Sequence, residues 1–362
     1  MAETISFARG APSLDIIDVE GLKASAVEAL EQDPGGVTAY GTAVGYVPLR
    51  ELIAAQHGVE PGQVLVTNGS MQADAFLFDA LVKPGDTVVV ERPTYDRTLL
   101  GLQERGADID MIELDTDGID TAELRRQLED GLRPVFAHII PNFQNPAGYT
   151  LSLDKRRELL ELAAEYGFLI FEDDPYRLIR FAGEPLPTML EMDEGRGNVV
   201  YASSFSKTVC PGVRVGYLVG PEDLVSRIVK AATNTYIAPN MLAEATVYRF
   251  CDSGRVDESV KTVSAALAER VEALTGALAE HLPEAKFTAP QGGYFMWVEM
   301  PEGTDVAALM EAAAARDVVF VNGDDFLIDG PGNTFRLAYS GVTTDEITEG
   351  VRRLGEAYRE IS

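Results

Sequence analysis

The sequence predicts an α/β chain: a large domain built on a mostly parallel, seven-stranded sheet flanked by helices, then a smaller α+β domain. Three observations lead to that class. Short apolar, β-branched runs alternate with amphipathic stretches through most of the first two-thirds of the chain, and strand–helix alternation of this kind builds parallel sheets covered on both faces. The pattern changes after about residue 235. The length, 362 residues, exceeds the roughly 250–300 at which single cores stop growing, and 46% hydrophobic against 24% charged residues supplies a sizeable core rather than disorder.

In chain order, segment 1–40 is rich in Gly and Pro and has too little core of its own, so it is expected to pack on the small domain and on a partner subunit. The large domain, 41–235, has candidate strands at 64–67, 87–91, 109–112, 135–140, 168–172, 199–203 and 215–219. Candidate helices at 71–81, 95–104, 121–129 and 154–166 lie between them. The small domain, 236–362, starts with a long helical stretch at about 257–281. Helices at 306–316 and 344–361 then alternate with strands at 293–299, 318–321 and 334–340. No repeat and no low-complexity linker interrupts this order.

Composition excludes several classes of function. With 58 acidic against 30 basic side chains the formal charge is −28, and no cluster of cations offers a phosphate backbone a footing, so no nucleic-acid partner is expected. Residues 1–10 have neither a basic n-region nor an apolar h-region, and no apolar run reaches the roughly 20 residues of a membrane span. The expectation is a cytoplasmic protein. Cys210 and Cys251 lack metal-type spacing and read as two buried small apolar residues. Only seven lysines occur among the cations, and dense surface carboxylates suit a protein kept hydrated in high salt, which suggests a halophilic source.

The informative stretch runs from Tyr201 to Tyr217. It places Lys207 just past a strand end, between Ser204, Ser206 and, seven residues on, Arg214. An ammonium among small residues at the end of a buried strand is desolvated, which favours the neutral, nucleophilic amine. Two hydroxyls and a guanidinium suit a phosphate monoester. Together they point to pyridoxal 5′-phosphate held as a Schiff base, although a serine-rich turn with a solvated lysine has the same letters. The strand at 168–172 leads into Asp173, Asp174, Pro175 and Tyr176. A carboxylate there would keep the pyridine nitrogen of that coenzyme protonated, and a phenol would face the ring oxygen. A solvated acidic loop or half a metal site is the other reading. None of the three histidines lies near these aspartates in sequence, which makes the metal version weak.

Further motifs extend the set: Thr67 to Gln72 (TNGSMQ), Glu91 to Tyr95 (ERPTY), Pro141 to Gly148 (PNFQNPAG) and Phe335 to Ser340 (FRLAYS). In this order the chain resembles, over essentially its whole length, the class I/II aminotransferases among the fold type I pyridoxal-phosphate enzymes. The nearest branch holds aminoadipate, kynurenine and broad-specificity amino-acid aminotransferases.

The resemblance implies roles residue by residue. Lys207 would carry the Schiff base and act as base and acid. Ser204, Ser206 and Arg214 would bind the phosphate with Ser70, at a helix start whose free N–H groups favour an anion. Met71 departs from the glutamine often found there, which confines its role to its backbone amide. Tyr95 would stack on the ring, Asp173 would pair with the ring nitrogen and Tyr176 with the ring oxygen. Asn145 would touch that oxygen and the substrate carboxylate, with the Asn145–Pro146 bond a candidate for the cis form. Arg336 would clamp the substrate α-carboxylate, and Tyr40 would reach the neighbouring subunit's phosphate, making a homodimer obligatory. Arg9, beside Gly10 in a segment that lines the substrate pocket, stands where the branch usually has a small residue; it is expected to contact a distal carboxylate.

The implied function is transfer of an amino group from an L-amino acid to a 2-oxo acid, usually 2-oxoglutarate, in a ping-pong reaction, with no metal. A carbon–sulfur β-lyase or another reaction on the same scaffold is the alternative. More remote is a ligand-sensing regulator module of the kind fused to DNA-binding domains.

Overall fold

The computed structural model describes residues 4–330 and 332–362. Met1 to Glu3, the start of segment 1–40, lie outside the described residues. All seven predicted strands of the large sheet are present, as Val64–Thr67, Thr87–Arg92, Asp108–Asp115, Phe136–Ile139, Leu169–Asp173, Val199–Ser204 and Gly216–Val219; six lie within a residue of their expected ends, and the one expected at 109–112 runs three residues further. An eighth, the two-residue Gly118–Ile119, folds back antiparallel on the end of the third. The central pairings, from Asp108–Asp115 through Thr87–Arg92, Phe136–Ile139 and Leu169–Asp173 to Val199–Ser204, are parallel. Gly216–Val219 then runs antiparallel to both Val199–Ser204 and Val64–Thr67, closing the sheet at that edge.

Alternation along the strands explains the layers. Val88 and Val90 face one core with Phe78, Phe136 and Phe171, whereas Val89 faces the other with Ile139, Ile170 and Leu162, so both faces of the sheet are covered. One covering helix, Leu153–Tyr166, shows both ends clearly. Ser152 accepts from the Lys155 N–H at the head of Leu153–Tyr166, and Gly167 ends it with φ 76°. No helix among the described residues is long and apolar enough to cross a membrane.

The C-terminal part carries a four-stranded antiparallel sheet ordered Lys286–Phe287, Phe295–Glu299, Thr334–Ala338 and Val321–Asn322. It packs with the helices Arg255–His281, Val306–Ala314 and Thr344–Ile361. The expected strand at 318–321 is broken at Phe320: Val318–Val319 turns away to pair in parallel with Ile5–Ser6, and only Val321–Asn322 joins the larger sheet. Through this pairing, and with Phe7 fully buried in the same core, the first residues of the chain are sewn to the C-terminal part.

The rest of the N-terminal segment holds an element that the sequence reading did not place. It forms a 14-residue helix, Val19–Gln32, capped by the Asp18 carboxylate on the Gly21 N–H and packed on the helix Met241–Asp252. Of the Gly and Pro of this segment, Gly21 is buried within the helix, and Pro34, Gly35 and Gly36 belong to the short helix Pro34–Thr38 that follows it. The cysteines are unpaired, as expected, but both are half-buried rather than fully buried.

Candidate active site

One cavity of about 430 Å³ opens at the C-terminal ends of the central strands, where open α/β sheets place their ligands. Every predicted site residue lines it except Tyr40, whose ring is 90% exposed.

Lys207 follows the Val199–Ser204 strand, in the turn that leads to the antiparallel edge. Its Nζ donates to the Gly10 carbonyl at 3.0 Å and lies 5.4 and 5.1 Å from the ring centroids of Tyr176 and Tyr294. It makes no ion pair among the described residues. Burial first, and then the charges of Arg214 and Arg336, bring this amine down to about 8, against the opposing charge of Asp173.

Beside it is an anion cradle. Arg214, held in the left-handed region at φ 51°, donates to the Ser206 hydroxyl at 3.4 Å, and the Ser206 N–H donates to the Ser204 hydroxyl at 3.1 Å. The guanidinium lies against Gly69, which caps the helix Ser70–Leu81 with φ 85° and no side chain; a Cβ there would sit 2.3 Å from Arg214 Nη2. The first N–H groups of that helix have no side-chain cap, so they and Arg214 converge on one spot. Met71 is 47% exposed, and its sulfur accepts from the Tyr95 hydroxyl at 3.8 Å.

The run Glu172-Asp173-Asp174 sorts by strand alternation. Glu172 points away and accepts from the Met189 and Leu190 N–H groups at 2.8 and 2.9 Å. Asp174 accepts both bonds from Asn142 Nδ2 at 2.9 and 3.0 Å. Asp173 alone reaches the cavity; its Oδ2 is 3.5 Å from His138 Nε2, and its buried Oδ1 has no partner. The absence of histidine near these aspartates held only in sequence, because Phe136–Ile139 and Leu169–Asp173 are adjacent strands. No cluster able to hold a metal ion is found among the described residues.

Arg336 is 7% exposed on Thr334–Ala338. Its Nη1 donates to Asn145 Oδ1 at 2.8 Å and its Nη2 to the Ala8 carbonyl at 2.8 Å, and Nε is buried without a partner. The guanidinium lies 4.3 Å from the Phe295 ring centroid and 4.8 Å from that of Phe326. Burial lowers its proton affinity, opposed by the more distant charges of Asp96 and Asp325, and it forms no ion pair among the described residues. Burial also raises Tyr95, to about 12, and pushes Tyr176 well up, so both phenols stay neutral.

Several residues of the site escaped the sequence reading. Glu91 accepts from the Ile140 N–H and from Gln144 Nε2, both at 3.1 Å, and Arg156, fully buried, donates to Asn142 Oδ1 at 3.0 Å. These bonds fix the loop that carries Asn145, whose bond to Pro146 is cis. Asp74, one helical turn after Ser70 and therefore on the same face, also lines the cavity. A carboxylate inside the apolar helix pattern Ala-Asp-Ala-Phe-Leu-Phe was the available signal.

The geometry has counterparts over the whole chain. Residues 3–354 match the family described as aminotransferase class I and II. Aromatic-amino-acid aminotransferase 1 of Thermococcus litoralis is 32% identical, across 99% of this chain and 89% of that protein. The crystal structure of Pyrococcus horikoshii kynurenine aminotransferase, in complex with PMP, superposes with a TM-score of 0.95 at 33% identity, covering 99% of this chain and 92% of that one. Alpha-aminoadipate aminotransferase from Thermus thermophilus, complexed with N-(5′-phosphopyridoxyl)-L-leucine, gives a TM-score of 0.95 at 32% identity, with coverages of 99% and 92%.

Proposed function

Because the chain belongs to the class I and II aminotransferases and is a pyridoxal-phosphate-dependent enzyme of fold type I, we propose that its cavity moves the amino group of an L-amino acid to 2-oxoglutarate in a ping-pong reaction based on Lys207. The observation that carries this reading is the convergence of Lys207, Arg214 and Arg336 on one cavity with no ion pair to a carboxylate for any of them among the described residues, in a chain of net charge −28. Cations kept unpaired in so acidic a protein are there for anions that arrive from solution.

The residues fit the coenzyme on their own chemistry. The cradle of Arg214, Ser204, Ser206 and the Ser70 helix start would hold its phosphate, with the Met71 backbone amide. The unpartnered Asp173 Oδ1 would take the ring N–H, and Tyr176 and Asn145 would face the ring oxygen beneath Tyr95. When bound, the coenzyme supplies an electron sink for breaking the substrate's α-C–H bond and a carrier for the amino group.

The chain's own residues do the remaining work. Arg336 and Asn145, already locked together, bind the α-carboxylate and fix the α-hydrogen toward Lys207, so that part of the orientation cost is met before substrate arrives. Lys207 Nζ, about half neutral near pH 8, takes the proton from the α-carbon and would deliver it to the coenzyme carbon that bears the transferred nitrogen. The phenols and Phe295 exclude water around that transfer. Gly10 keeps the segment close, since a Cβ there would meet Phe295 Cζ at 2.3 Å.

We place Tyr40, exposed on its own chain, in the cradle of a second subunit, so that the enzyme works as a homodimer. Two unpaired cysteines suit the cytoplasm, and the acidic surface suits a salty one. The test is the visible spectrum of purified holoenzyme on addition of single amino acids, in dilute buffer and in molar KCl. Conversion of the lysine-bound coenzyme band to the pyridoxamine form, undiminished by salt, is expected; a band that no amino acid moves would sink the transaminase reading.

Lys207 also fixes a pH dependence. The attacking species is the neutral amine, and its fraction grows about tenfold per pH unit up to the group's own titration point. With that point lowered to about 8, the rate at which apoenzyme takes up coenzyme is expected to rise to about pH 8 and then level. A rate still climbing toward pH 10 would mean an ordinary lysine.

A further inference from the structure

The same cavity is lined by five basic against three acidic side chains, the reverse of the chain as a whole. Lys207, Arg214 and Arg336 have their tasks in the function proposed above. Arg9 and Arg97 do not.

Arg9 is exposed at the rim, and its side chain makes no hydrogen bond or ion pair among the described residues. Its backbone is held on both sides by the site itself. The preceding carbonyl, Ala8, accepts from Arg336 Nη2 at 2.8 Å, and the following one, Gly10, accepts from Lys207 Nζ at 3.0 Å. Arg9 is thus anchored between the group that binds the α-carboxylate and the group that moves the α-proton.

Arg97 lines the same cavity from the first turn of Asp96–Glu104, directly after Tyr95. Its one carboxylate contact among the described residues is its sequence neighbour Asp96, met through Nε at 3.5 Å, which leaves both Nη atoms without a hydrogen bond. Adjacent residues cannot present their side chains for a bidentate pair, so a carboxylate reaching the Nη fork would be the better partner.

We propose that Arg9 and Arg97 form a second carboxylate-binding position, which selects substrates with an acidic side chain: a glutamate-like donor, a 2-oxoglutarate-like acceptor, or both. This rests on the transaminase reading, which puts the α-carboxylate on Arg336. A dicarboxylate would then be gripped at both ends, with Lys207 beneath its α-carbon. The positive lining inside a −28 protein would also draw anions to the one place able to pair them.

The experiment uses holoenzyme and the ratio of kcat/KM for glutamate to that for norleucine, with a second arm comparing 2-oxoglutarate and 2-oxohexanoate as acceptors. One charge-assisted hydrogen bond corresponds to about a 10- to 100-fold preference. In Arg9→Gln and in Arg97→Gln the ratio is expected to fall by that factor in at least one arm, with partial recovery in the Lys variants, which keep charge but lose the fork. Both side chains are exposed, so the variants should fold; the intensity of the coenzyme band checks that the site is intact. A fall of less than about fivefold in both arms, in either Gln variant, overturns the proposal. If apolar donors convert the band and the ratio does not move, the two-arginine position alone fails; if no amino acid converts it, the transaminase reading fails first.

Discussion

Lys207→Ala protein is expected to lack the visible band of lysine-bound coenzyme and to turn over roughly 10²- to 10⁴-fold more slowly, the usual contribution of a positioned general base. No neighbour can stand in for it. Tyr176 and Tyr294, which flank the amine at 5.4 and 5.1 Å, are phenols that burial pushes far above working pH, and Asp173 is an acceptor committed elsewhere. Partial return of turnover with added small primary amines would identify a missing base rather than a collapsed site. The same variant tests the shared site. Mixed and re-associated with Tyr40→Ala, it should give hybrid dimers with one intact site each, and about a quarter of unaltered activity from two inactive parents. Activity no greater than the parents' sum would remove Tyr40 from the neighbour's site.

What the sequence made legible follows from where its signals are local. Val64–Thr67, Phe136–Ile139 and Val199–Ser204 are wholly buried runs, and Leu169–Asp173 is buried after its first residue, so their ends, and with them Lys207 and Asp173, could be placed to within a residue or so. Helix Val19–Gln32 was hidden because its apolar face is weak: Gly21, Ser25 and Ala29 are what it buries, and small residues carry little periodic signal. The contacts that finish the site are longer in range. Ala8 with Arg336 and Gly10 with Lys207 span 328 and 197 positions, and no pattern within a window reports them.

The split of the strand expected at 318–321 has the same cause. A β-branched run shows that strand is favoured but not which edge will take it; here Ile5–Ser6 competes for Val318–Val319 and wins the first half. That competition ties the Arg9 segment to the C-terminal sheet that carries Arg336. The rim of the cavity at Ala8 and the Arg336 guanidinium are therefore tied together, and Arg9 is placed by the fold rather than by its own contacts.

Asp173→Asn is expected to lower kcat by about 10²- to 10³-fold, matching the roughly 3–5 kcal/mol lost when one partner of a buried charge pair is removed. The substitution changes no volume, so packing against His138 stays in place. What changes is charge: a protonated ring nitrogen would face a neutral amide in a site where no other carboxylate points the right way, because Glu172 and Asp174 are turned to Met189 and Asn142. Asp74 lines the same cavity, but burial first and then the charge of Asp173 raise its carboxyl well above the usual range; the variant removes the second cause and leaves the burial, which still opposes a charged Asp74. Two readouts separate this from a folding defect. The variant should retain coenzyme through the phosphate cradle, with an altered pH titration of its absorbance. Reconstitution with an N-methylated coenzyme, whose ring charge is fixed, should return at least a tenth of the lost rate. If the Asn variant loses less than about tenfold, or the fixed charge restores nothing, Asp173 does not act through the ring nitrogen, and its unpartnered Oδ1 needs another explanation.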